Sequence, residues 1–96
     1  MKAYVIIRVE IEDSTQLKDY QAVAPAAIAQ YHGKIIVRGG AITSLEGPAD
    51  TRRTIIIEFA SMAQAEAFYH SAEYTKACKL REGIGKFDIM AVEGLA

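Results

Sequence analysis

Apolar and polar positions alternate from the start of the chain: Ala3, Val5, Ile7, Val9 and Ile11 fall on one face of a strand predicted over residues 3 to 11. The period then changes. Asp13 and Gln16 have the spacing of a capping box, and Leu17, Tyr20, Ala24, Ile28 and Tyr31 follow at helical spacing. Pro25 lies inside that stretch and removes an amide donor, so a kink or a helix in two pieces is expected. Gly33 is the expected left-handed stop.

Strand pattern resumes at residues 34 to 38, and Gly39-Gly40 suggests a bulge with the strand continuing over 42 to 46. Gly47-Pro48-Ala49-Asp50 reads as a hairpin loop and residues 52 to 60 as the third strand, centred on Ile55-Ile56-Ile57. Ser61 and Gln64 form a second capping box, with Ala65, Phe68 and Tyr69 on one face of the helix that follows. Ser71 caps a further helical piece running towards Arg81, Gly83 and Gly85 end it, and Phe87 to Glu93 form the last strand.

The order βαββαβ is the signature of an α+β, ferredoxin-like domain, here a single one over residues 1–96. Right-handed crossovers give an antiparallel sheet of order 4-1-3-2 with the helices on one face. The other face should then be polar, yet Ile6-Ile7, Ile35-Ile36-Val37 and Ile55-Ile56-Ile57 put branched side chains on both faces. At roughly 25 cal/mol per Å² such a face is costly to leave in water. A second subunit is the simplest cover, so a homodimer is expected.

That same face is assigned one charge per strand: Arg8, Arg38, Glu58 and Asp88. In the order 4-1-3-2 they read Asp88, Arg8, Glu58, Arg38, with alternating sign. Two readings stand. In one the charges form an ion-pair network that sets dimer register. In the other they line a pocket for a small organic molecule, with Arg8 and Arg38 orienting an anionic or carbonyl ligand and Glu58 or Asp88 moving a proton. Tyr69 and Tyr74 are placed to bring hydroxyls to the mouth of such a pocket.

The composition narrows the partners. With 11 Lys and Arg against 12 Asp and Glu the net charge is −1, with no basic stripe, which argues against nucleic acid. Arg8 and Glu10 interrupt the apolar run at Tyr4–Ile7 too early for a signal or a membrane span. Cys78 is the one cysteine, so no internal disulfide forms and a reducing cytoplasm is the expected setting. His32 and His70, the two histidines, belong to no close ligand pair, and no metal is expected. Ser61 and Ser71 read as helix caps, and no Gly-x-Ser-x-Gly element or nucleotide loop is present.

Taken together, Ala24-Pro25, Tyr31-His32-Gly33, Arg38-Gly39-Gly40, Leu45-Glu46-Gly47, Ile57-Glu58-Phe59 and Ser71-Ala72-Glu73-Tyr74 resemble the family called domain of unknown function 1330, within the dimeric α/β-barrel group. The resemblance spans nearly the whole chain. It implies two ferredoxin-like subunits stacked sheet to sheet around an internal cavity, and it implies no particular reaction. His32, Ala60, Phe68, His70 and Ala72 depart from the residues usual at those positions. Some barrels resembling this one degrade haem with a histidine in the second helical region, but Thr75 to Arg81 holds only Cys78. No cofactor is therefore expected. A cofactor-free monooxygenase or isomerase and a non-catalytic dimer module both remain open.

Overall fold

The computed structural model describes residues 1–12, 15 and 17–95. Its elements follow in the order β1 (Ala3–Ile11), α1 (Leu17–Gln30), β2 (Lys34–Arg38), β3 (Arg53–Phe59), α2 (Met62–Tyr69), α3 (Ala72–Leu80) and β4 (Gly85–Glu93). The strands form one antiparallel sheet of order β2-β3-β1-β4, the expected 4-1-3-2 read from its other edge.

Burial follows the period of two. Ala3, Val5, Ile7 and Val9 of β1 are buried beneath the helices, and their neighbours in sequence are not. Ile57, Phe59, Phe68 and Tyr74 complete the centre of the core. Each such side chain contributes roughly 1.5–3 kcal/mol by leaving water. The rings of Phe59, Phe68 and Tyr74 stack in sequence, with centroids 5.2 and 4.5 Å apart.

The caps are only partly as expected. The Asp13–Gln16 box lies outside the described residues. The Ser61 hydroxyl accepts from the Gln64 amide N–H at 3.1 Å, but the Gln64 side chain donates to the Tyr31 carbonyl at 2.9 Å. That second bond ties the start of α2 to the end of α1 and replaces the reciprocal half of the box. Ser71 caps α3 by accepting from the Tyr74 amide at 3.0 Å. At the end of α1 the left-handed residue is His32 (φ 60°), not Gly33. Gly33 is needed for a different reason, since a Cβ there would come within 2.7 Å of the Phe59 ring.

Three further expectations are corrected. α1 runs through Pro25 as one helix to Gln30 and not in two pieces, with the proline on its exposed side. Residues 42 to 46 do not continue the strand; Ile42 and Leu45 are exposed in an irregular connection, where no ladder partner holds them. The bulge lies between Ile35 and Val37, ahead of the expected Gly39-Gly40.

The helices stand at unequal heights. α2 makes close backbone approaches to β1, β3 and β4, whereas those of α1 are to α3. Space is left between α1 and the sheet.

Candidate functional site

Strand register sorts the face without helices into rows. Met90, Ile6, Ile56 and Val37 stand side by side across all four strands. A more polar row flanks them on each side: Tyr4, Glu58 and Lys34, with Val92 at the β4 end, on one, and Asp88, Arg8 and Thr54 on the other. Met90 is 57% exposed in the single chain and Val92 48%, so this face is unfinished.

Arg8 and Asp88 are direct cross-strand partners, as the alternating-sign pattern requires. Glu58 is not adjacent to Arg8. It stands opposite Tyr4, four residues further along β1 and so about 13 Å away, and pairs with Lys2 at 3.2 Å. The partners of the Arg8 row come instead from the loop before β3. Arg52 bonds Asp88 with one guanidinium nitrogen and Asp50 with another at 2.9 Å, and Arg8 lies 3.9 Å from Asp50. The hydrogen bond from Arg52 holds the Asp50 carboxyl down at about 2, and its bonds to Asp50 and Asp88 raise the Arg52 guanidinium. Asp50 and Arg52 were missed in the sequence. The available signal was an Asp and an Arg two positions apart at the entry to a strand.

Arg38 lies on the opposite face from the one expected. The extra residue at the bulge puts Val37 opposite Ile56 and Arg38 opposite Ile55, reversing the alternation beyond Ile35. Arg38 thereby joins the helix side, where Ile55 and Ile57 also point. There it borders a cavity of about 360 Å³ under α1, walled by Tyr20, Ile28, Ile35 and Ile57, with Arg53 beside it. Gly39, at φ 62°, lets the Arg53 guanidinium lie against the backbone; a Cβ would meet its central carbon at 2.7 Å. Among the described residues neither Arg38 nor Arg53 has an ion-pair partner. Arg53 was also missed: it falls inside the strand expected over residues 52 to 60, where no spacing sets it apart.

Tyr20 is one of the cavity walls, and in the core its hydroxyl meets that of Tyr74 at 2.7 Å. Tyr74 is 1% exposed, so it is an interior residue and reaches no pocket mouth. Burial pushes both phenols above their ordinary value of 10.0; the bond to Tyr74 partly offsets this in Tyr20 and the bond to Tyr20 adds to it in Tyr74. The Arg81 guanidinium lies 4.1 Å from the Phe87 ring centre and 5.9 Å from that of Tyr20, and donates to the Cys78 sulfur at 3.2 Å. The Tyr69 ring packs against that of Tyr74, with centroids 5.8 Å apart, and with Glu66 and His70 it borders a smaller space of about 170 Å³ beside β4. Among the described residues no group of three or more His, Cys, Asp or Glu is placed to hold a metal ion, and no helix is long and apolar enough to cross a membrane.

A family model described as "Domain of unknown function (DUF1330)" matches residues 2–95. No curated protein matches the sequence. Among solved structures, a protein of unknown function from Rhodopseudomonas palustris is 16% identical, with 99% of this chain and 83% of that chain covered at a TM-score of 0.77. SnoaB, a cofactor-independent oxygenase from Streptomyces nogalater, is 7% identical over 99% and 94% of the two chains, with a TM-score of 0.68. A dimeric ferredoxin-like protein of unknown function from Jannaschia sp. CCS1 is 11% identical over 98% and 100%, with a TM-score of 0.65. At these identities what is shared is the fold.

Proposed function

We propose that this chain, which belongs to the family of domain of unknown function (DUF1330), binds a small organic anion with an apolar body in the cavity beneath α1, and works as a homodimer. The observation that carries the binding reading is the pairing of an apolar cavity with Arg38 and Arg53, two cations that have no acidic partner among the described residues. Isoleucine walls supply affinity without direction, and a guanidinium at the rim selects a carboxylate by paired hydrogen bonds.

The charges on the opposite face take the other role considered for them. Arg8, Asp50, Arg52 and Asp88 satisfy one another, and Glu58 takes Lys2, which suits ion pairs that set the register of a second subunit. The apolar row from Met90 to Val37 supplies the surface to be covered. A structural neighbour described as dimeric supports this assembly, and the apolar walls of the cavity beside two guanidinium groups make aromatic carboxylates the first ligands to try.

The test is calorimetric titration of substituted benzoates into the wild type, Arg38→Ala and Arg53→Ala. Loss of one guanidinium–carboxylate contact should weaken binding by about tenfold. Unchanged affinity in both variants, or no binding by the wild type, defeats the reading.

A further inference from the structure

The two faces of the sheet differ in how their arginines are balanced. On the open face Arg52 donates to both oxygens of Asp50, at 3.0 and 2.9 Å, and also bonds Asp88. Arg8 lies 3.9 Å from Asp50 and opposite Asp88 in the ladder. Two cations there meet two carboxylates. At the cavity, Arg38 and Arg53 have no ion pair among the described residues, and none of the described residues lining it is acidic. Asp50, the acid nearest to Arg53 along the chain, is committed to Arg52. The charge left unbalanced at the cavity is therefore two.

These two cations are held as neighbours. Arg38 stands opposite Ile55, and Arg53 lies two residues before Ile55 on the same face of β3. Diagonal neighbours of this kind have backbones roughly 7–8 Å apart, within reach of one head group for side chains as long as arginine. The Gly39 amide donates to the Thr54 carbonyl at 2.8 Å, which carries the ladder past Arg38 and fixes the glycine beside β3. The Arg53 guanidinium rests on that glycine, where a Cβ would meet its central carbon at 2.7 Å. Arg53 is thus seated before a ligand arrives, and less side-chain freedom is lost on binding.

A single carboxylate carries one charge and two oxygens, which one guanidinium fork already satisfies. It leaves the second guanidinium unbalanced while the apolar body of the ligand strips water from the rim. Two adjacent carboxylates, or one phosphate with its three terminal oxygens, serve both forks. The cavity of about 360 Å³ has room for a ring bearing such a head, since an engineered cavity of roughly 150 Å³ takes benzene. Resting on the cavity reading above, we infer that the site beneath α1 selects a doubly charged head on an apolar body, with Arg38 and Arg53 each balancing one charge. A singly charged analogue is disfavoured by the cation it leaves unpaired.

The experiment is calorimetry at about pH 8, where carboxylate and phosphate heads carry their full charge. It compares phthalate with monomethyl phthalate, and phenyl phosphate with methyl phenyl phosphate, pairs that keep the ring and differ by one charge. The proteins are the wild type, Arg38→Gln and Arg53→Gln. The wild type should favour the doubly charged member of at least one pair by about tenfold, and each variant should bind the two members within about twofold. A preference in the phthalate pair alone supports the inference and assigns adjacent carboxylates; one in the phosphate pair alone supports it and assigns a phosphate monoester. Equal wild-type affinities within both pairs overturn the two-charge selection, and this comparison stands whatever the variants do. If those affinities fall in the variants, the cavity reading is left standing. A preference that survives in both variants also overturns the inference, because the second charge is then read elsewhere. Binding of none of these compounds, nor of benzoate, overturns both readings.

Discussion

Arg38 stands opposite Ile55 across the β2–β3 ladder, on the face that the helices cover. One extra residue at the bulge puts it there, and that residue divides the charges of this domain between two sites. Arg8, Asp88 and Glu58 remain on the open face, whereas Arg38 joins Arg53 at the cavity.

Gly39→Ala should disturb that rim. It forces a side chain onto a backbone at φ 62° and drives a methyl group into the Arg53 guanidinium. A stability loss of about 1–2 kcal/mol in urea unfolding is expected from the backbone alone, together with weaker benzoate binding. Wild-type stability in the variant would show that the turn relaxes freely.

Ile6→Lys tests the open face. Ile6 sits between Met90 and Ile56 in the apolar row, and a cation there would be desolvated by a second sheet. Native mass spectrometry at micromolar concentration should show wild-type dimer and Ile6→Lys monomer. A wild-type monomer would remove the proposed assembly.

The Asp50–Arg52 pair gives an acid-side prediction. A carboxylate held at about 2, below its ordinary 3.8, favours the folded state above pH 3.8 and loses that contribution as pH falls towards 2. Both groups are solvent-exposed, so the energy is small and salt-sensitive. A carboxyl NMR titration should place the Asp50 midpoint near 2 in the wild type and closer to 3.8 in Arg52→Gln. Identical midpoints would show that the pair does not persist in solution.

The tyrosine pair gives the alkaline counterpart. Both folded phenols are raised above 10.0, so their protonated pairing contributes fully below that pH. Above pH 10 the unfolded chain ionises first and stability falls. Urea midpoints should be insensitive to this pair up to about pH 10 and then decline, with a shallower decline in Tyr20→Phe/Tyr74→Phe. Equal slopes would place the phenols in contact with water.

Much of this was legible in one dimension. The strand at Ala3–Ile11 has the bounds that period-two alternation gives it, the second strand starts at Lys34 as expected, and Ser61 and Ser71 cap the helices that they precede. The apolar residues Ile6 and Ile56 stood out as surplus to one core and do meet on the open face. The strand expected at 42 to 46 failed because an apolar pattern needs a neighbouring strand, and Ile42 and Leu45 have none.

Element order, sheet order and the two-faced character of β1 were determined by the sequence itself, because period, caps and turn residues act between neighbours in the chain. Tertiary structure decided which charges meet. The register slip at Ile35/Val37 turned Arg38 to the helix side, and Arg52 reached Asp88, 36 residues away. The hydroxyls of Tyr20 and Tyr74, 54 residues apart in the chain, met only because α1 and α3 pack side by side. Such contacts depend on the relative placement of whole elements, and no local spacing encodes that.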